Sequence, residues 1–141
     1  YQFTFPKAGK YDYSFSGLKT QFLNFLNKEK QKNEQFIEHE IHHICASYQS
    51  HLIKYLILNL EKVMLKYPCK DIALAGGVAA NSELRKQIKI LGEKHDCKTH
   101  IPNFEFCTDN AAMIAISGYF MEKEKLFTDL SVSASARINM D

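Results

Sequence analysis

The feature that most constrains this chain is the run DIALAGGVAANSELR. A short apolar stretch (residues 71–75) meets the pair Gly76 and Gly77, and a helical stripe of Leu84, Ile88 and Leu91 comes next within residues 81–93. Strand, glycine turn and helix in that order form an α/β unit. KTHI at residues 98–101 reads as the next strand. Two parallel strands do not make a finished sheet, because such strands are normally flanked by others and covered by helices on both faces. The missing neighbours are expected outside this sequence, which begins at Tyr1 with no charged or apolar leader. Residues 1–141 are therefore read as one domain fragment cut from a longer protein.

Residues 1–16 alternate aromatic and polar side chains around Pro6 and Gly9, which predicts a strand or hairpin. Ser16 and Gly17 open a helix carrying Leu18, Phe22, Phe25 and Leu26, ending near residues 28–32. A second stripe, Ile37, Ile41, Ile44, Tyr48, Leu52, Leu56, Leu60, Val63 and Tyr67, predicts one long helix or two in line over residues 34–67. Pro68 ends it, since proline lacks the N–H that the helix ladder needs. Thr108 or Asp109 is expected to cap a last helix over residues 110–122, whose Ala111, Ala112, Ala115 and Gly118 imply close packing on a neighbour. The tail from Phe127 is read as polar and surface-bound.

A composition of 45% hydrophobic and 24% charged residues supports one core in a soluble domain. The longest apolar stretches, residues 55–58 and 111–117, fall well short of the roughly 20 residues of a membrane span. Cys45, Cys69, Cys97 and Cys107 form no CxxC pair, which favours reduced thiols and a cytoplasmic location. A net charge of +2 announces no nucleic-acid surface, and the lysines at 28, 30 and 32 are interrupted by Glu29.

Four clusters bear on chemistry. Gly76 and Gly77 let a backbone approach a ligand, and Asn81 offers two donors and an acceptor at a helix mouth; the same residues also serve simply to tighten a strand–helix connection. Asp109 stands where a helix dipole favours an ionised carboxylate, as a cation ligand or as a plain cap. HEIHH at residues 39–43 satisfies the zinc-peptidase pattern, with His39 and His43 one turn apart and Glu40 beside them, but no third ligand stands out beyond His51, Glu61 or His95. Ser14, Ser16, Gly17 and Lys19 form a helix start that suits a phosphate or an ordinary cap.

Taken in order, YDYSFSGLKT (11–20), ICASYQ (44–49), LAGGVAANSELR (74–85) and CTDNAAMIA (107–115) resemble the TsaD family of tRNA threonylcarbamoyl-adenosine synthases. The resemblance implies the C-terminal portion of an actin- and hexokinase-like ATPase (ribonuclease H-like) fold, helix-rich with short parallel strands. It implies transfer of threonylcarbamoyl from threonylcarbamoyl-AMP to N6 of the adenosine beside the anticodon, in tRNAs reading codons that start with A. It also implies tRNA and accessory pathway proteins as partners, and one divalent metal, iron or zinc, held by an HxxxH pair and an aspartate. Asp109 matches that aspartate, Asn81 the nucleotide-contacting asparagine, and Gly76 and Gly77 the turn under the adenosine. The family's HxxxH pair and phosphate loop belong to its N-terminal part, so His39 and His43 do not inherit the metal role, and the isolated chain is expected to be inactive. The rival expectations are a zinc endopeptidase, as in the family's older glycoprotease name, a sugar-kinase-like ATPase lobe, and a non-catalytic interaction fragment.

Overall fold

Pro68 stops the longest helix of the chain, and the two halves on either side of it are built differently. The computed structural model describes residues 1–133 and 135. Before Pro68 lie α1 (Phe15–Lys32) and α2 (Phe36–Lys66); after it come β1 (Asp71–Ala73), a 3-10 turn (Gly77–Ala80), α3 (Ser82–Lys94), β2 (Lys98–His100), a second 3-10 turn (Phe104–Phe106) and α4 (Ala111–Lys123). The result is helix-rich α/β with short parallel strands.

The period-two pattern of the first residues does not make a strand. Tyr1, Phe3 and Phe5 run extended but dock on helices: Phe3 meets Phe22 and Phe25 of α1 and Tyr48 of α2, while Phe5 stacks on His51 at 4.6 Å. Alternation places side chains on one side of an extended segment whether or not a ladder partner exists, and here the partner is an aromatic seam. Phe22 and Tyr48 stack across that seam at 3.9 Å. The buried hydroxyl of Tyr55 accepts from the Ser14 N–H at 3.0 Å. Asn59, 7% exposed, donates to the Asp12 carbonyl at 3.3 Å and accepts from Lys62, so a polar group inside the interface is paired.

α2 is continuous, but its buried face is not the expected stripe. Of those nine residues only Ile44 is buried; Ile53, Tyr55, Asn59 and Met64 complete the covered set, while Ile41 and Tyr67 are exposed. Two layers press on this helix from different sides, the N-terminal segment with α1 on one and α3 on the other, so no single arc is covered along its length.

The second half keeps closely to the sequence reading. β1 and β2 pair in parallel, with Ile72 opposite Thr99. Leu84, Ile88 and Leu91 of α3 join Ile53, Met64 and Ile72 in the core. α3 lies so near β2 that a Cβ at Gly92 would stand 2.4 Å from the Thr99 methyl and 2.9 Å from the Cys97 carbonyl. Among the described residues only one face of the sheet is covered, for Asp71 and Ala73 are exposed while Ile72 is buried.

One expectation for the C-terminal helix fails, and a second finds no partner among the described residues. Asn110, not Thr108 or Asp109, caps α4, its Oδ1 accepting from Met113 N at 3.0 Å. Nor do Ala111, Ala112, Ala115 and Gly118 meet a neighbour: every residue of α4 is exposed, and no atom lies within 4 Å of a Cβ built at Gly118. Small residues permit close approach without supplying the surface approached. The tail carries exposed Phe127, Leu130 and Val132 and so is less polar than read; its residues 134 and 136–141 lie outside the described residues.

Candidate functional site

β1 delivers the chain into a turn that only glycine fits easily. Gly76 has φ 83° and ψ 174°, a region closed to residues with a Cβ, and its carbonyl accepts from Ala79 N at 2.9 Å to start the 3-10 turn. Ala79 is fully buried and anchors the turn from beneath. Above it, nothing lies within 4 Å of a Cβ built on Gly76 or Gly77, so the glycine face is open.

Asn81 ends the turn and caps α3. Its Oδ1 accepts from Leu84 N at 2.9 Å, and its Nδ2 donates to Gln49 Oε1 on α2 at 3.2 Å. The acceptor and one of the two amide hydrogens are thereby engaged, and one N–H remains for a ligand. Beside it runs an open groove of about 520 Å3 between α2 and α3, lined in part by Gln49, Ser50, Lys54, Ser82 and Glu83.

Asp109 comes after buried Cys107 in the loop from β2 to α4. It is exposed, and its carboxylate has no hydrogen-bond or ion-pair partner among the described residues. Arg85, one turn into α3, joins this loop to the glycine turn. Its Nη1 donates to Ala79 O at 2.9 Å and lies 3.6 Å from Cys107 Sγ, its Nη2 donates to Pro102 O at 2.6 Å, and the guanidinium sits 4.3 Å from the Phe104 ring centre. Sequence reasoning passed over Arg85; a cation on the half-buried side of an amphipathic helix, one turn after its cap, was the available signal.

The other clusters are structural. Ser14 Oγ accepts from Gly17 N at 3.3 Å and caps α1, which begins at Phe15, just ahead of the expected start at Ser16 and Gly17. A Cβ at Gly17 would lie 2.7 Å from both Pro6 and Ser14 Oγ, so that helix mouth is filled, not open to a phosphate. In HEIHH, His39 and His43 are exposed and Glu40 accepts from the Tyr1 hydroxyl at 3.0 Å. His51 hydrogen-bonds Thr4 O at 3.2 Å, and burial pulls its pKa below the usual histidine value. Glu61 pairs with Lys94 and His95, which hold its carboxyl below the usual range. Among the described residues, no three His, Cys, Asp or Glu side chains converge as a metal site.

A parallel strand entering a glycine-only turn and a capped helix, followed by a second strand–helix loop that presents a partner-free carboxylate, makes this an α/β lobe with short parallel strands. Comparison with known proteins narrows the class. The family described as TsaD, tRNA N6-adenosine threonylcarbamoyltransferase, matches residues 1–116. The tRNA N6-adenosine threonylcarbamoyltransferase of Riemerella anatipestifer is 45% identical over 141 residues, 99% of this chain and 41% of the relative. Its namesake in Christiangramia forsetii is 41% identical over 137 residues, 97% of this chain and 40% of the relative. That of Mycoplasmopsis agalactiae is 44% identical over 125 residues, 88% and 38%. The chain belongs to the TsaD family, and it spans about two fifths of the length of these curated relatives. None of the described helices is long and apolar enough to cross a membrane.

Proposed function

We propose that this chain is the C-terminal part of an enzyme that transfers threonylcarbamoyl from threonylcarbamoyl-AMP to N6 of the adenosine next to the anticodon in tRNAs reading codons that start with A. The observation that carries the proposal is the open Gly76–Gly77 turn, tied through Arg85 to the loop that bears Asp109. The turn offers a surface without side chains on which an adenosine can lie, and the free N–H of Asn81 suits a ribose hydroxyl or base edge. In the reaction the exocyclic amine attacks the carbamoyl carbon, AMP leaves with the bonding electron pair, and the amine gives up a proton.

A divalent cation, iron or zinc, fits Asp109 as a shared ion only. One exposed carboxylate without a partner is a suitable hard donor, whereas a catalytic metal takes about three protein ligands. When bound, the ion would polarise carbamoyl or phosphate oxygens of the substrate. Asp109 serves as a ligand and not as a base, and the rest of the polypeptide supplies the remaining ligands. The isolated chain is thus expected neither to hold metal tightly nor to modify tRNA. The partners in this reading are tRNA and accessory proteins of the same pathway, in the cytoplasm.

The test uses the full-length protein. Asp109→Ala is expected to lose bound metal and to slow threonylcarbamoyl transfer by more than about 100-fold, beyond what an outer-shell change costs. His39→Ala and His43→Ala are expected to keep both. Metal lost on His39→Ala and retained on Asp109→Ala would overturn the reading in favour of the peptidase pattern.

A further inference from the structure

We propose that Arg85 is a positioning residue that holds the Asp109 loop in register with the glycine turn, an inference that rests on the functional reading above. The two segments come from different strand–helix connections, and α3 lies between them in sequence. Arg85 reaches both. One guanidinium edge takes the Ala79 carbonyl, at the heart of the 3-10 turn, and the other takes the Pro102 carbonyl, where the second loop begins. It also lies 3.6 Å from Cys107 Sγ, further along that loop, and 4.3 Å from the centre of the Phe104 ring in between. The segment 102–107 is therefore gripped at its start, its middle and its end by one side chain.

Asp109 lies two residues beyond the last of these contacts. Within this chain the carboxylate is approached from its N-terminal side by Cys107 and the 3-10 turn Phe104–Phe106. Cys107 is 2% exposed, so the loop has one firmly seated residue, and Arg85 lies against it. A guanidinium carries five N–H donors in a fixed plane, and that plane is what allows two carbonyls, a sulfur and a ring face to be met together; an ammonium on a flexible stem reaches one carbonyl at a time.

The glycine turn has other supports, namely the pairing of β1, the buried Ala79 and the Asn81 cap. Loss of Arg85 should therefore loosen the Asp109 side more than the nucleotide side. That asymmetry gives a signature that general destabilisation would not produce.

The experiment compares Arg85→Ala, Arg85→Lys and Asp109→Ala in the full-length protein. In metal-free Arg85→Ala, alkylation of Cys107, resolved by mass spectrometry, is expected to rise at least about 10-fold, while exposed Cys45 labels as in the parent. In the loaded enzyme, kcat and metal affinity are expected to fall by about 10- to 100-fold, as for other residues that orient a ligand from outside. The KM for threonylcarbamoyl-AMP is expected to stay within about 3-fold, because the turn keeps its other anchors. Arg85→Lys is read where Arg85→Ala does not fold, with the same pattern at smaller size. A folded variant with parental Cys107 labelling and parental kcat overturns the inference while leaving the functional reading intact. Parental metal content and transfer in Asp109→Ala would instead sink the functional reading, and the positioning role with it.

Discussion

Asn81 Nδ2 donates to Gln49 Oε1 at 3.2 Å, so the long helix α2 reaches the residue that caps α3. The contact fixes which end of the Asn81 amide faces where: the oxygen turns to Leu84 N and the nitrogen to Gln49. Two sequence motifs, ICASYQ and LAGGVAANSELR, thus share one hydrogen bond between residues 32 positions apart.

Gln49→Ala should release the Asn81 nitrogen without disturbing the cap. In the full-length protein the KM for threonylcarbamoyl-AMP is expected to rise about 5-fold, the equivalent of one hydrogen bond of about 1 kcal/mol. Both kcat and the thermal midpoint should stay near parental values. Steady-state kinetics check this, and a fall in kcat at unchanged KM would refute it.

The two glycines of the turn should separate folding from binding. Gly76 alone has positive φ, so Gly76→Ala is expected to cost about 1–3 kcal/mol of backbone strain. Gly77 has an ordinary φ and open space where its Cβ would stand, so Gly77→Ala should change stability by no more than about 0.5 kcal/mol. Substrate binding should nonetheless weaken in Gly77→Ala if an adenosine lies on that face. Thermal unfolding read alongside nucleotide affinity decides the matter, and undiminished affinity in Gly77→Ala would remove the turn from the binding surface.

Glu61 clamps α2 to the end of α3, accepting from Lys94 at 2.8 Å and contacting His95 at 2.7 Å. Those partners, Lys94 first, lower its folded pKa below the value of about 4.3 for an unfolded chain. Linkage gives the sign: the clamp's stability is fully present above the unfolded value and is lost as pH falls through the folded one. Glu61→Gln should therefore lower stability at pH 7 by about 1 kcal/mol or less, since Lys94 is largely exposed. The gap to the parent should close on acidification below about pH 4. Melting curves of both proteins from neutral to acid pH test this; a gap independent of pH would rule out the clamp.

Much of this molecule is legible in its residues alone. Pro68 locates the end of α2, the stripe Leu84, Ile88, Leu91 locates the core face of α3, and the Gly76–Gly77 pair locates the turn, because each rests on local backbone chemistry or on one helix meeting one surface. The aromatic alternation of Tyr1, Phe3 and Phe5 misleads because period two marks extended chain, and only a partner decides between a ladder and a helix groove. The face of α2 escapes the pattern for a related reason, since two layers cover it from different sides.

The site divides along the same line. Sequence alone determined that a glycine pair, an asparagine at a helix start and an aspartate lie at the mouths of strand–helix connections, for those are properties of short segments. That Glu40 is taken by Tyr1, that Gln49 reaches the Asn81 cap and that Arg85 binds the Pro102 carbonyl were decided by tertiary structure. Hydrogen bonds between remote segments depend on where packing brings their backbones, and no local pattern encodes that meeting.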